Sequence, residues 1–321
     1  MKYVVCVLLL PALVSAWSGI LIPAENGDYP GQVYTPGIVP MTGQNHHNFG
    51  INSTSSDNVA VASCGFLVYI TGGYNPMTKM ATNKILVYDA NVDRTWEDNM
   101  TMVKPRLAHF AVCMKGMGRH GHRLLICGGS ATKPDGSRIA DCEICDTHEQ
   151  KCKPVASLPA AGTNQRAIEA YGKVYVAGGY TNMGHDVFWV YDPMTDKWST
   201  KLPKMMTARA EFGFAHIHGK FLACGGWKGA VKAGAGLDTC DMYCPFANVW
   251  YPVAKMHRER MRLGMVELNG RIYAVGGIHD NKPTNMIEEY DYFSDSWTEH
   301  QTTLMSPQMF AETSVPAYTC Y

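Results

Sequence analysis

The 321-residue chain has no excess of either charge: 28 Lys and Arg balance 28 Asp and Glu, and no basic run or stripe occurs. That disfavours nucleic acid and anionic membrane surfaces as partners. Beyond the first 14 residues, no stretch approaches the roughly 20 consecutive apolar residues a membrane helix requires, so no membrane insertion is expected. Long helical periodicity is missing throughout, which excludes bundles and coiled coils. There is no nucleophile elbow, HExxH helix, phosphate loop or paired-carboxylate motif, and the enzyme classes that carry those motifs are removed with them. A single C-x2-C, Cys142 and Cys145, stands without the second pair a zinc site would need. No cofactor is expected, and the function is read as non-enzymatic.

The ends carry addressing information. Lys2 precedes an apolar run from Val4 to Val14, and Val14-Ser15-Ala16 supplies small residues for cleavage. This is the pattern of a secretory leader over residues 1–16, with a single domain over 17–321 and a secreted, extracellular protein as the expectation. Of 11 cysteines, Cys6 lies in the leader, and the remaining even number suits disulfides in an oxidising compartment. Asn52-Ser53-Thr54 and Asn99-Met100-Thr101 are glycosylation sequons.

The informative presence is a recurring glycine pair. Gly72-Gly73, Gly128-Gly129, Gly178-Gly179, Gly225-Gly226 and Gly276-Gly277 each close a short apolar run, at intervals of 56, 50, 47 and 51 residues. A period near 50 marks a repeat architecture. Within a unit the order is a small-residue or apolar strand, a tight turn, the strand ending in Gly-Gly, a variable loop, a strand ending in an aromatic, and a tryptophan. Tyr191 and Trp198, Tyr243 and Trp250, and Tyr290 and Trp297 are seven apart; Tyr88 and Trp96 are eight apart. Four short strands per unit form one blade of a β-propeller.

These paired glycines, tyrosines and tryptophans, repeated in register, resemble the kelch motif over residues 58 to 300. The resemblance implies an all-β, kelch-type β-propeller. The segment Met305 to Thr313 is similar to the segment opening a unit, Met206 to Phe212, so a sixth blade shared between the N- and C-termini is expected. The runner-up is five blades with loose tails. A propeller of this kind is expected to bind an extracellular protein or act as a matrix scaffold. A glycan-binding propeller is the alternative, and a copper-dependent extracellular carbohydrate oxidase is a more distant one. Some kelch propellers are such oxidases, but no segment here matches their ligand motifs residue by residue.

Candidate residues follow from the irregularities. In unit two, Cys145 and Cys152 replace the tyrosine and tryptophan, pointing to a disulfide across that turn. Cys127 with Cys142, and Cys224 with Cys240, share one layout and suggest strand-to-strand bridges. Cys113 opposite Cys127 competes with the first of these, and Cys64 with Cys320 is a candidate link between the chain ends. An arginine recurs before the first strand (Arg106, Arg166, Arg209 and Arg260), either bonded to carbonyls and carboxylates near the blade turns or forming a basic rim for an acidic group. Tyr74, Tyr180 and Trp227 directly follow glycine pairs and could stack on sugars.

Overall fold

The computed structural model describes residues 58–300, apart from 66, 76, 90–93, 115–120, 133–136 and 229–235, together with the backbone of three strands nearer the N-terminus. Those three, Leu8–Leu9, Ile20–Ile22 and Gln32–Tyr34, pair antiparallel in sequence order. The remainder of the leader, Asn52, Cys320 and the segments expected to complete a sixth blade lie outside the described residues.

Five four-stranded antiparallel sheets, each pairing its strands in chain order, make the β-propeller. This is the runner-up count among the described residues. Blade 1 comprises Ala60–Cys64, Leu67–Thr71, Ile85–Asp89 and Arg94–Glu97. Blade 2 comprises Phe110–Met114, Arg123–Cys127, Cys142–Asp146 and Lys151–Val155. Blade 3 comprises Arg166–Ala170, Lys173–Ala177, Phe188–Asp192 and Lys197–Ser199. Blade 4 comprises Gly213–Ile217, Lys220–Cys224, Cys240–Cys244 and Val249–Val253. Blade 5 comprises Gly264–Leu268, Arg271–Val275, Ile287–Asp291 and Ser296–Glu299.

Burial falls from the first strand of a blade to the fourth. First strands such as Ala60–Cys64 and Phe110–Met114 are buried at every residue. Both faces of such a strand are covered, which explains why the sequence shows short apolar runs there instead of alternation. Fourth strands such as Lys151–Val155 are largely exposed. Four hydrophobic clusters lie between successive blades, so no blade buries its own faces alone. Between blades 3 and 4 the filling is aromatic, with Phe188 4.8 Å from Tyr243 and 5.0 Å from Trp250 between ring centroids. Between blades 1 and 2 the cluster holds Cys64, Cys113, Cys145 and Cys152 instead.

The glycine pairs are the joints of this frame. In four of the five pairs the amide of the second glycine donates to a carbonyl at the start of the next blade: Gly73 to Arg106 (2.8 Å), Gly129 to Gly162 (2.8 Å), Gly179 to Arg209 (2.8 Å) and Gly226 to Arg260 (2.7 Å). At Gly226, φ is +89°, and an added Cβ would lie 2.5 Å from Phe212 Cβ and 2.6 Å from the Ala210 oxygen. Only glycine combines that left-handed backbone with so close an approach. A second set of left-handed residues recurs beside the joints, at Asn58, Ala108, Asn164, Glu211 and Arg262, with φ between 52° and 62°. Their backbones link blade to blade: Ala108 N donates to Asn58 O, Asn164 N to Ala108 O, and Arg262 N to Glu211 O.

Four disulfides join eight of the nine described cysteines, and Cys244 is a free thiol. Cys127–Cys142, Cys145–Cys152 and Cys224–Cys240 each connect neighbouring strands within a blade. Cys64 bonds Cys113, joining the first strands of blades 1 and 2 with a Cα separation of 5.6 Å. This corrects the expected Cys64–Cys320 link and removes the Cys113–Cys127 alternative. First strands of adjacent blades are spatial neighbours, and nothing in the spacing of one unit reveals that.

Candidate functional site

The recurrent arginines are internal. Arg106, Arg209 and Arg260 are 1 %, 0 % and 0 % exposed, so these three follow the first of the two readings, bonds to carbonyls and carboxylates, and the alternative of a basic binding rim is corrected. Each is held inside its own blade. Arg106 donates from Nε and Nη2 to Glu143 Oε1 (3.0 and 2.9 Å) and from Nη1 to the carbonyls of Gly128 and Asp141. Arg209 donates to Asp241 Oδ2 (3.0 Å), Thr239 and the Gly225 carbonyl. Arg260 donates to Glu288 and to the Met286 and Gly276 carbonyls. Burial pushes the guanidinium pKa of Arg209 and of Arg260 down, and the facing carboxylates oppose it. A buried guanidinium without a partner would be costly, so the arginine and its acid come as a set.

That pairing exposes a register error for Arg166. The position equivalent to Arg106, Arg209 and Arg260 in blade 3 is Gly162, whose carbonyl receives Gly129 N. Arg166 lies one turn later, in the first strand itself, 2 % exposed and donating from Nε to the Phe212 carbonyl of blade 4 at 2.8 Å. The acid position tracks the arginine: blades 2, 4 and 5 carry Glu143, Asp241 and Glu288, while blades 1 and 3 carry Leu86 and Trp189 there. This co-occurrence was the signal in the sequence that identifies an internal ion pair.

On the same face, the loops that follow the glycine pairs bring four side chains together. Tyr180 of blade 3 lies edge-on to His185 (5.1 Å between centroids) and to Trp227 of blade 4 (5.8 Å, planes at 60°). The Arg138 guanidinium of blade 2 stands over the Tyr180 ring at 5.9 Å. Each loop is pinned by its own short pairing: Ser130 bridges Leu107 and Arg138, Gly162–Thr163 pairs with Tyr180–Thr181, and Ala210 bridges Trp227. Neighbouring lysines are already paired, Lys204 with Asp186 and Lys255 with Asp238, whereas Arg138 has no acidic partner among the described residues. Burial, reinforced by Arg138 and opposed by Asp186, holds the His185 pKa below its ordinary value. Tyr74 is not in this cluster; it sits in the blade 1 loop, paired with Ala81, which in turn bonds the Thr132 carbonyl of blade 2.

The opposite turns differ in character. Phe246 and Phe293, at the tips of the third-to-fourth strand turns of blades 4 and 5, are 100 % and 81 % exposed. Asn99, one of the two sequon residues, is exposed in the connection between blades 1 and 2. Among the described residues no helix is long and apolar enough to cross a membrane.

Successive four-stranded antiparallel blades, joined by glycine amides and presenting variable loops on a fixed frame, define the chain as a β-propeller. The family model described as Kelch motif matches residues 164–206, 208–257 and 259–299. The chain is 26 % identical over 251 residues to Kelch-like protein 23 of Homo sapiens, covering 75 % of this chain and 41 % of that protein. It is 30 % identical over 127 residues to Kelch-like ECH-associated protein 1A of Danio rerio, covering 40 % of this chain and 20 % of that protein. Kelch-like protein 40 of Xenopus tropicalis is 27 % identical over 228 residues, 69 % of this chain and 35 % of that protein. The chain thus spans less than half the length of these relatives. Kelch motifs run through residues 164–299, and the chain is similar to kelch-like proteins over three quarters of its length.

The family match covers blades 3, 4 and 5, and the structure explains why blades 1 and 2 stand apart. In blade 1 the extra residue before Trp96 shifts the register, so Tyr88 pairs with Thr95 and Trp96 with Val87. A one-residue slip turns a strand side chain to the other face, and Trp96 is left 37 % exposed. In blade 2 the pair is Cys145 opposite Cys152.

Proposed function

We propose that this chain is a protein-binding propeller that works outside the cell and reads its partner with the post-glycine loops of blades 2 to 4. The observation that carries the reading is the convergence of Arg138, Tyr180, His185 and Trp227 from three blades on one face. Aromatic residues and arginine are the side chains that anchor protein interfaces, because they bury much area for little lost rotamer freedom. Arg138 stacked on Tyr180 keeps its donor edges available for a carboxylate or carbonyl of the partner. The extracellular setting is supported by four disulfides, which a reducing cytosol would not maintain. A kelch-repeat relative named for its association with another protein is in keeping with a binding role.

The test is photo-cross-linking from Tyr180 and, separately, from Phe246, in the protein's own secretion. A partner protein captured from Tyr180, and lost on Arg138→Ala with Trp227→Ala, is the expected result. Capture from Phe246 with nothing from Tyr180 would move the interface to the opposite turns and overturn the assignment. A glycan array read in parallel distinguishes sugar stacking on the Tyr180 and Trp227 rings from recognition of protein.

A further inference from the structure

Blades 3, 4 and 5 fasten their outer strands in one way. The tyrosine hydroxyl donates five residues ahead, Tyr191 to Asp196 (2.9 Å), Tyr243 to Asn248 (2.9 Å) and Tyr290 to Asp295 (2.8 Å). The tryptophan indole donates back to the connection entering the blade, Trp198 to Ala156 (2.9 Å), Trp250 to Pro203 (3.2 Å) and Trp297 to Ala254 (2.9 Å). Blade 2 has neither side chain. Its equivalent of Asp196 is Gln150, whose amide bonds Thr147 within the same turn. The Cys145–Cys152 bond takes the place of both contacts.

Among the four described disulfides this one has the least buried cysteine. The other three have all six cysteines at 5 % exposure or less. Cys145 is buried as well, but Cys152 is half-buried on an outer strand between the exposed Lys151 and Lys153. We infer that Cys145–Cys152 is a thiol–disulfide exchange site, opened by an external dithiol protein of the thioredoxin class while the other three bonds stay closed. The thiolate of the dithiol attacks Sγ of Cys152, the less buried of the two cysteines, and the Cys145 sulfur leaves as a thiolate and takes a proton. The second thiol of the reductant then displaces Cys152, so the chain gains two thiols and the reductant becomes a disulfide.

Opening the bond releases the Lys151–Val155 strand, and the consequence runs along the chain. The strand leads directly into Ala156, whose N–H and carbonyl anchor Asp196 and Trp198 of blade 3. Seven residues on, Thr163 pairs with Tyr180. The released strand therefore loosens the segment that positions the Tyr180 ring. Only this last effect, on partner binding, rests on the function proposed above.

The intact protein is treated with limiting thioredoxin and dithiothreitol, alkylated, and mapped by mass spectrometry, with amide exchange followed over 147–165. Cys145 and Cys152 are expected to label about tenfold faster than the other disulfide cysteines, with faster exchange at 151–165 and no change in blades 4 and 5. Cys145→Val with Cys152→Val should show that exchange without reductant and no further response to it. Cys145→Tyr with Gln150→Asp and Cys152→Trp supplies a second control in which the kelch closure is rebuilt and the response abolished. Equal labelling of Cys127–Cys142 or Cys224–Cys240, or reduction of the pair without faster exchange at 151–165, would overturn the inference. If reduction loosens 151–165 but the Tyr180 cross-link persists, the exchange site stands and only the proposed binding face fails.

Discussion

The Arg209–Asp241 pair gives the sharpest test of how a blade is held. Arg209 is fully buried and Asp241 is 4 % exposed; the pair sits at 3.0 Å, with Arg209 also satisfying the Gly225 and Thr239 carbonyls. Asp241→Leu leaves a guanidinium buried without its counter-charge and is expected to cost about 3–5 kcal/mol. Arg209→Met leaves the carboxylate and two carbonyls short of donors, a loss of similar size, about 3–5 kcal/mol. Combining the two removes a charge that is already unpaired, so the double variant should lie well below the sum, with a coupling of at least about 2 kcal/mol. Blade 3, with Gly162 and Trp189 at the equivalent positions, is the natural precedent for a blade that lacks both partners. Equilibrium denaturation followed by tryptophan fluorescence, disulfides intact, measures the cycle. Additivity within about 0.5 kcal/mol would refute the claim that the arginine and acid act as one internal unit.

Burial, and then Arg106, lower the His109 pKa to about 3, so the ring is neutral when folded while the unfolded chain takes up a proton below about pH 6.5. Stability is therefore lost as pH falls, by about 1.5 kcal/mol between pH 6.5 and 5; His109→Leu should flatten that slope, and an unchanged slope would assign it elsewhere. Burial works to raise the Glu288 pKa, but Arg260 and His257 outweigh it and hold the carboxyl below its ordinary range. Its contribution is present above the unfolded carboxylate pKa and disappears as pH falls through the lower folded value, so Glu288→Gln should weaken the protein at neutral pH and show a smaller further loss on acidification. Gly226→Ala is expected to cost about 3 kcal/mol from strain and overpacking, whereas Gly172→Ala, at φ +70° with open space around it, should cost about 1 kcal/mol; equal losses would mean that the joint is not tightly packed.

Much of the frame was legible because its signals are local. A glycine pair, a tyrosine and a tryptophan at fixed spacing reflect strands and turns within a single unit, and so do Cys127 with Cys142 and Cys224 with Cys240. What the sequence hid depends on neighbours in space. Cys64 and Cys113 lie 49 residues apart and meet only because first strands of adjacent blades pack together. Arg106 and Glu143 are separated by 37 residues, and an arginine beside a turn reads equally well as a rim residue until its acid is found. Arg166 looked equivalent because it also precedes a glycine pair, yet its interval of 12, against 16 for Arg209 and Arg260, already marked the displacement. Tyr180 and Trp227 were legible singly as residues after glycine pairs; their meeting with Arg138 and His185 required the angle between blades.

Glycine joints hold a rigid frame beneath the post-glycine loops, and amide hydrogen exchange resolved at Gly73, Gly129, Gly179 and Gly226 tests this most directly. These amides donate to the next blade at 2.7–2.8 Å and should exchange as slowly as the buried first strands, while exposed loop amides such as those of Asn182 and Arg258 exchange freely. Exchange of the four glycine amides at the rate of those loop positions would contradict the account.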